Sequence, residues 1–140
     1  MQYVCDAPGG KIWFRIETEG EAAQEAELMG HAVEKHFKRA FEQAVASYVP
    51  AQVSYIEQNI GLAAHVRRTM PMFLTLRDSD GNGLATAMLA PKGSNQPAVR
   101  PIVVGPRNTD PYPQHESAIN KLAEHFGVSL DRSRCYPYGR

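Results

Sequence analysis

Chemistry in this 140-residue chain would have to come from its histidines, carboxylates and arginines, and one segment gathers all three. In Arg107-Asn108-Thr109-Asp110-Pro111-Tyr112-Pro113-Gln114-His115-Glu116, a Pro-rich loop leads from a strand end into a helix start. Unpaired backbone N–H groups and the helix dipole favour an anion there. Arg107 is placed to clamp that anion, and His115, oriented by Asp110 or Glu116, to give or take a proton near neutral pH. A plainer reading competes and is preferred. It makes Asp110 a cap or turn residue and His115 a solvated first-turn side chain, since ordinary loops share this composition.

Other constellations are weaker. Glu27, His31 and Glu34 are spaced i, i+4 and i+7, which on a continuous helix puts three metal ligands on one side. No Glu-x-x-His pair supplies the other half of a carboxylate-bridged site, so a solvated face is expected. Asp78, Asp80, Asn82 and Gly83 match the first half of a calcium loop, but its twelfth position is Leu89 where a bidentate Glu is required. A polar hairpin turn fits better. Cys5 and Cys135 stand at opposite ends of the chain without metal-ligand spacing and read as small apolar or surface thiols. No Gly-x-Ser-x-Gly elbow, phosphate-binding loop or Gly-x-Gly-x-x-Gly fingerprint is present. No metal and no cofactor are expected.

The arginines carry the third possibility. The formal charge is +0, yet residues 1–60 hold five basic against nine acidic groups, net −4, and residues 61–140 hold ten against six, net +4. Arg67, Arg68, Arg107, Arg132 and Arg134 lie in the basic half, where planar guanidinium groups suit phosphate or carboxylate. In the tail, Arg132, Arg134 and Arg140 interleave with Tyr136 and Tyr138, a pattern that can grip phosphates and stack bases. With pI ≈ 7.0 the electrostatic footprint for nucleic acid is small, and intermixing of the charges on folding is the preferred expectation.

The elements that must position these residues follow from hydrophobic periodicity. Residues 2–5 and 11–17, with Asp6-Ala7-Pro8-Gly9-Gly10 between them, predict a β-hairpin. Its second strand alternates Ile12, Phe14 and Ile16 with Trp13, which therefore lies on a less buried face or against another element. From Glu21 to Val49, apolar residues recur at three- and four-residue steps until Pro50, predicting one long helix. Its 29 positions would span roughly 43 Å, against a diameter of roughly 37 Å for a domain of this size. Either it bends near Gly30 or an end protrudes toward a partner copy. Further along, the spacing predicts a helix over 51–68, a hairpin of 72–77 and 84–90, and a loop at 93–97. A strand over 99–104 and a helix over 114–126 follow, and the tail has room for a short strand.

Together these give one α+β domain over 1–140. An antiparallel sheet of about four to six strands, including two hairpins, is covered by one long and one or two shorter helices. No apolar run is long enough to span a bilayer, and the N-terminus lacks the basic and apolar regions of a secretion signal, so a cytoplasmic protein without membrane contact is expected. The leading functional expectation is an accessory or regulatory protein acting through protein contacts, as a homodimer. Binding of a phosphorylated small molecule or nucleic acid through the arginines is one alternative. An enzyme centred on Arg107, Asp110 and His115 is the other, and whether the protein is an enzyme at all stays open.

Overall fold

The computed structural model describes residues 1–50, 52–91 and 100–138. Five strands, Gln2–Ala7 (β1), Lys11–Ile16 (β2), Met72–Arg77 (β3), Gly83–Leu89 (β4) and Ile102–Val104 (β5), pair in the order β1-β2-β3-β4-β5. Every pairing is antiparallel, giving the α+β architecture that the periodicity predicts. The loop expected at 93–97 and the start of the strand expected over 99–104 lie outside the described residues. In the tail, Arg132–Arg134 forms a single 3-10 turn in place of a strand, and Tyr136 makes only one parallel bridge, to Ile102.

The predicted long helix is two helices, Glu19–Met29 (α1) and Val33–Ala46 (α2). Thr18 starts α1 with a reciprocal capping box to Glu21, satisfying orphan N–H donors. Gly30 ends it with φ 64 and ψ 40, a left-handed conformation that glycine adopts without steric cost. Apolar periodicity runs straight through this break because α1 and α2 both pack their stripes on the same side of the sheet. Neither helix outruns the domain, so the length argument for a partner copy falls. The break also removes the i, i+4, i+7 alignment of Glu27, His31 and Glu34. Among the described residues no cluster of three metal-binding side chains forms.

Tyr55–Thr69 (α3), capped by Ser54, follows α2, and Tyr112–Phe126 (α4) follows β5. Gly61 in the middle of α3 is where Tyr48 packs, in space that a Cβ would occupy. Among the described residues no helix is long and apolar enough to cross a membrane.

Strand alternation sends side chains to two covered faces. On one, Trp13, Leu74, Leu76, Ala85, Ala87 and Val103 pack with Ala118, Ile119 and Leu122 of α4. On the other, Ile16 and Phe73 pack with Ala22, Val33, Phe37 and Ala44 of α1 and α2. Trp13 is thus fully buried against another element, its Nε1 donating to the Ala118 carbonyl at 2.8 Å. Charges from the two halves of the chain meet on folding, as in Arg67–Glu17 and Arg77–Glu25.

Candidate functional site

A glutamate sits at zero exposure under α1. Glu25 falls between Ala22 and Met29 on the stripe that α1 presses onto the sheet, so its carboxylate is carried into the interior. Uncompensated, such a charge would be prohibitively costly. Two strands supply partners: Arg77 Nη2 donates to Oε1 at 2.6 Å, and Thr86 Oγ1 donates to Oε2 at 2.6 Å. Thr75, opposite Thr86 in the β3–β4 register, accepts from Arg77 Nε at 3.0 Å and so orients the guanidinium.

The chain of polar contacts continues to His31. The αL turn at Gly30 ends α1 one residue earlier, and His31 Nε2 lies 2.9 Å from Thr86 Oγ1. Because the single hydroxyl proton of Thr86 goes to Glu25, its oxygen must accept from His31. Nε2 therefore carries the proton, and Nδ1 keeps a lone pair. That Nδ1 is buried and, among the described residues, meets no hydrogen-bond partner. Burial holds the imidazole below its ordinary pKa, against the opposing pulls of its own backbone and of the Glu25 charge, so the neutral form dominates at neutral pH.

His31 and Thr86 border a cavity of about 340 Å³, whose lining also includes the apolar Val33, Phe73, Met88, Ile102 and Val104 and the polar Asn108, Tyr136 and His36. The size falls within the roughly 300–1,000 Å³ of small-molecule sites, and so does the pattern of apolar walls with a few placed polar atoms. What this arrangement offers is an apolar enclosure, a neutral imidazole held in one tautomer, and a hydroxyl already committed to a carboxylate.

The residues singled out from the sequence are distributed elsewhere. Asp110 is drawn to Arg132, whose Nε donates to Oδ2 at 2.8 Å, while its Oδ1 accepts from the Tyr112 N–H at the start of α4. Arg132 also lies 4.5 Å over the Tyr138 ring. His115 is a kinked residue of α4, and Lys11 Nζ, which can only donate, lies 3.0 Å from its Nδ1. Burial and then the Lys11 charge lower the pKa of His115. Arg107 has a positive φ of 56 and borders a different cavity beside Gly30 and Glu27. The structure therefore joins Asp110 to Arg132 and His115 to Lys11, and sets Arg107 apart from both beside another cavity. Arg67 reaches Glu17 and Gln2, at 2.9 and 2.6 Å, and with Arg15 and Arg68 borders a further cleft. Arg134 lies exposed on the 3-10 turn.

Asp78 behaves as the turn residue expected, accepting from the Asp80 and Asn82 backbones and from the Asn82 side chain. Cys5 and Cys135 are both free and buried in the α4-side core, and burial raises both thiols.

Sequence reasoning missed Glu25, Thr86 and Arg77 and dismissed His31. A signal existed: Glu25 is an acidic residue in phase with an apolar helical stripe, and Thr75 and Thr86 interrupt otherwise apolar strands. The chain matches no family model, no curated protein and no solved structure.

Proposed function

We propose that the protein is a small-molecule-binding protein, and that its ligand is uncharged, mostly apolar and carries at least one hydrogen-bond donor. The observation that carries this reading is the largely apolar cavity bordered by His31 and Thr86, in which His31 keeps a buried Nδ1 that has no hydrogen-bond partner among the described residues. An unmet buried acceptor costs about 1–3 kcal/mol, and a donor on the ligand recovers it once the imidazole turns Nδ1 toward the cavity. The apolar walls supply affinity, and the imidazole supplies selection for an N–H or O–H group.

N-phenyl-1-naphthylamine, a neutral fluorophore with one N–H, tests the reading directly. Fluorescence titration should give one dye per chain. Val104→Trp, which fills the cavity from β5, should abolish the signal, and His31→Phe should weaken binding about fivefold. Unchanged titration of the Val104→Trp protein would sink the proposal.

One observation favours a second reading, contact with a second copy of the chain. Phe41 and Val45 of α2, Val49 and Val53 between the helices, and Tyr55, Ile56 and Ile60 of α3 are all exposed. Sedimentation should then give a dimer that Ile56→Glu and Ile60→Glu together dissociate; a monomer at high concentration removes this reading.

A further inference from the structure

A second cavity, of about 420 Å³, lies on the opposite flank of α2, enclosed by β2, α2 and α3. Its floor is apolar and well covered: Ile16, Phe37 and Met70 are buried there. Its outer wall is α3, which buries none of its fifteen residues: Val66 packs at partial exposure against the core of this face, and Leu62 borders the cavity at partial exposure. A helix of this length normally seats an apolar stripe on its neighbour. Here that stripe is only partly seated, through Val66 on the core and Gly61 against Tyr48, and Leu62 is left beside the open space.

The mouth is cationic. Arg15 borders this cavity and also an adjoining cleft shared with Arg67 and Arg68. Glu17 is the carboxylate at the same rim, and its Oε2 accepts from Arg67 Nη1 at 2.9 Å. Three guanidinium groups against one carboxylate leave the rim positive. Among the described residues Arg15 itself has no hydrogen-bond or ion-pair partner, although it is half-buried. Burial, followed by the like charge of Arg67, lowers its pKa against the opposing pull of Glu17.

We infer that this cleft binds a single-chain amphiphile, with an aliphatic tail between Phe37, Phe41, Leu62 and Val66 and a carboxylate head on Arg15 beside Arg67. A planar carboxylate matches the guanidinium fork, and a tail of that kind occupies apolar space that water fills poorly. The site is separate from the cavity beside His31: the two lie on either side of the edge-to-face pair Phe37 and Phe73, whose ring centres are 5.2 Å apart.

Titration calorimetry with decanoate below its micelle concentration tests the inference, with decan-1-ol and acetate as probes of the tail alone and the head alone. Decanoate should bind at one per chain, and each partial probe at least about tenfold more weakly. Arg15→Met, which keeps the volume and removes the charge, should cost at least about tenfold. Ala63→Phe, an exposed wall position and so safe for folding, should block binding. Circular dichroism confirms that both variants are folded. Equal affinities for decanoate and decan-1-ol, an Arg15→Met protein that binds normally, or no decanoate binding at all would each overturn it. The naphthylamine site should respond to neither variant, so failure of one proposal leaves the other standing.

Discussion

The two faces of the sheet are covered in opposite ways. One helix, α4, and the tail that follows it cover the first face, and there Trp13, Leu74, Leu76, Ile119, Leu122 and Leu130 are almost wholly buried. The polar tips on that face are matched, with Trp13 donating to the Ala118 carbonyl and the Tyr112 hydroxyl donating to the Leu130 carbonyl, each at 2.8 Å. Three helices cover the second face, yet it encloses a charged pair, an unpartnered imidazole nitrogen and two cavities. More secondary structure does not mean more packing. Close contact of apolar groups stabilises the first face, whereas the second keeps groups whose burial opposes folding, a distribution expected where a protein retains a site.

The largest effect should come from breaking the buried pair. Replacing Glu25 by Leu leaves Arg77 and Thr86 without their acceptor and should cost about 3–5 kcal/mol in urea unfolding, as for other broken buried pairs. The double change Glu25→Leu with Arg77→Met removes both charges together and should recover most of that loss. Dye binding beside His31 should stay impaired in the double variant, because Thr86 no longer holds the imidazole. If it recovers along with stability, the network serves folding alone.

Next comes a matched pair of truncations. Leu122→Ala on α4 empties a fully buried position and should cost about 2–5 kcal/mol. Leu62→Ala on α3 removes a side chain that already faces open space and should cost about 1 kcal/mol or less. Equal losses would mean that α3 is packed as tightly as α4 and would erase the contrast between the faces.

How much of this was legible in the sequence depends on what sets each feature. The strands at 72–77 and 83–89 could be read because alternation and a polar turn are local properties, and α4 because its stripe ends at Gly127. The break at Gly30 was harder: the stripes of α1 and α2 continue the same phase, and only the left-handed residue separates them. Two-sided covering hid the environment of β2, since alternation predicts a wet face only when one face is free. The Glu25 network was invisible for another reason. Its partners come from residues 25, 31, 75, 77 and 86, brought together by the sheet register and not by spacing along the chain. Residues 107, 110 and 115, by contrast, are close in sequence, yet the fold ties 110 to Arg132 and 115 to Lys11 and sets 107 beside a separate cavity.

Gly30 offers a smaller but sharper test of the second face. Alanine at this left-handed position should cost about 1–2 kcal/mol, and its Cβ would also lie 3.3 Å from Arg107 Cγ, so the loop carrying Arg107 must give way slightly. His31 follows directly. The substitution should therefore weaken naphthylamine binding more than its modest stability loss implies, while Gly127→Ala, at the equivalent cap of α4, should lose similar stability with no change in binding.

The smallest effect is set by pH and again separates the faces. His31 faces the cavity side and His115 lies in α4 against Lys11, and burial lowers both below the ordinary value of 6.5. In the unfolded chain each takes up a proton near that value, whereas the native state resists until a lower pH. Protons therefore favour unfolding, so stability is greatest above about pH 6.5 and falls as pH drops from there through the folded-state pKa values. Thermal melts between roughly pH 7 and 5 should show this decline. His31→Gln should remove one part of the slope and His115→Gln the other. The neutral ligand assigned to the cavity binds the unprotonated imidazole, so saturating naphthylamine should steepen the decline in the wild-type protein and in His115→Gln but leave the His31→Gln slope unaltered. A slope that responds to the dye equally in both variants would mean that the dye occupies some site other than the one beside His31.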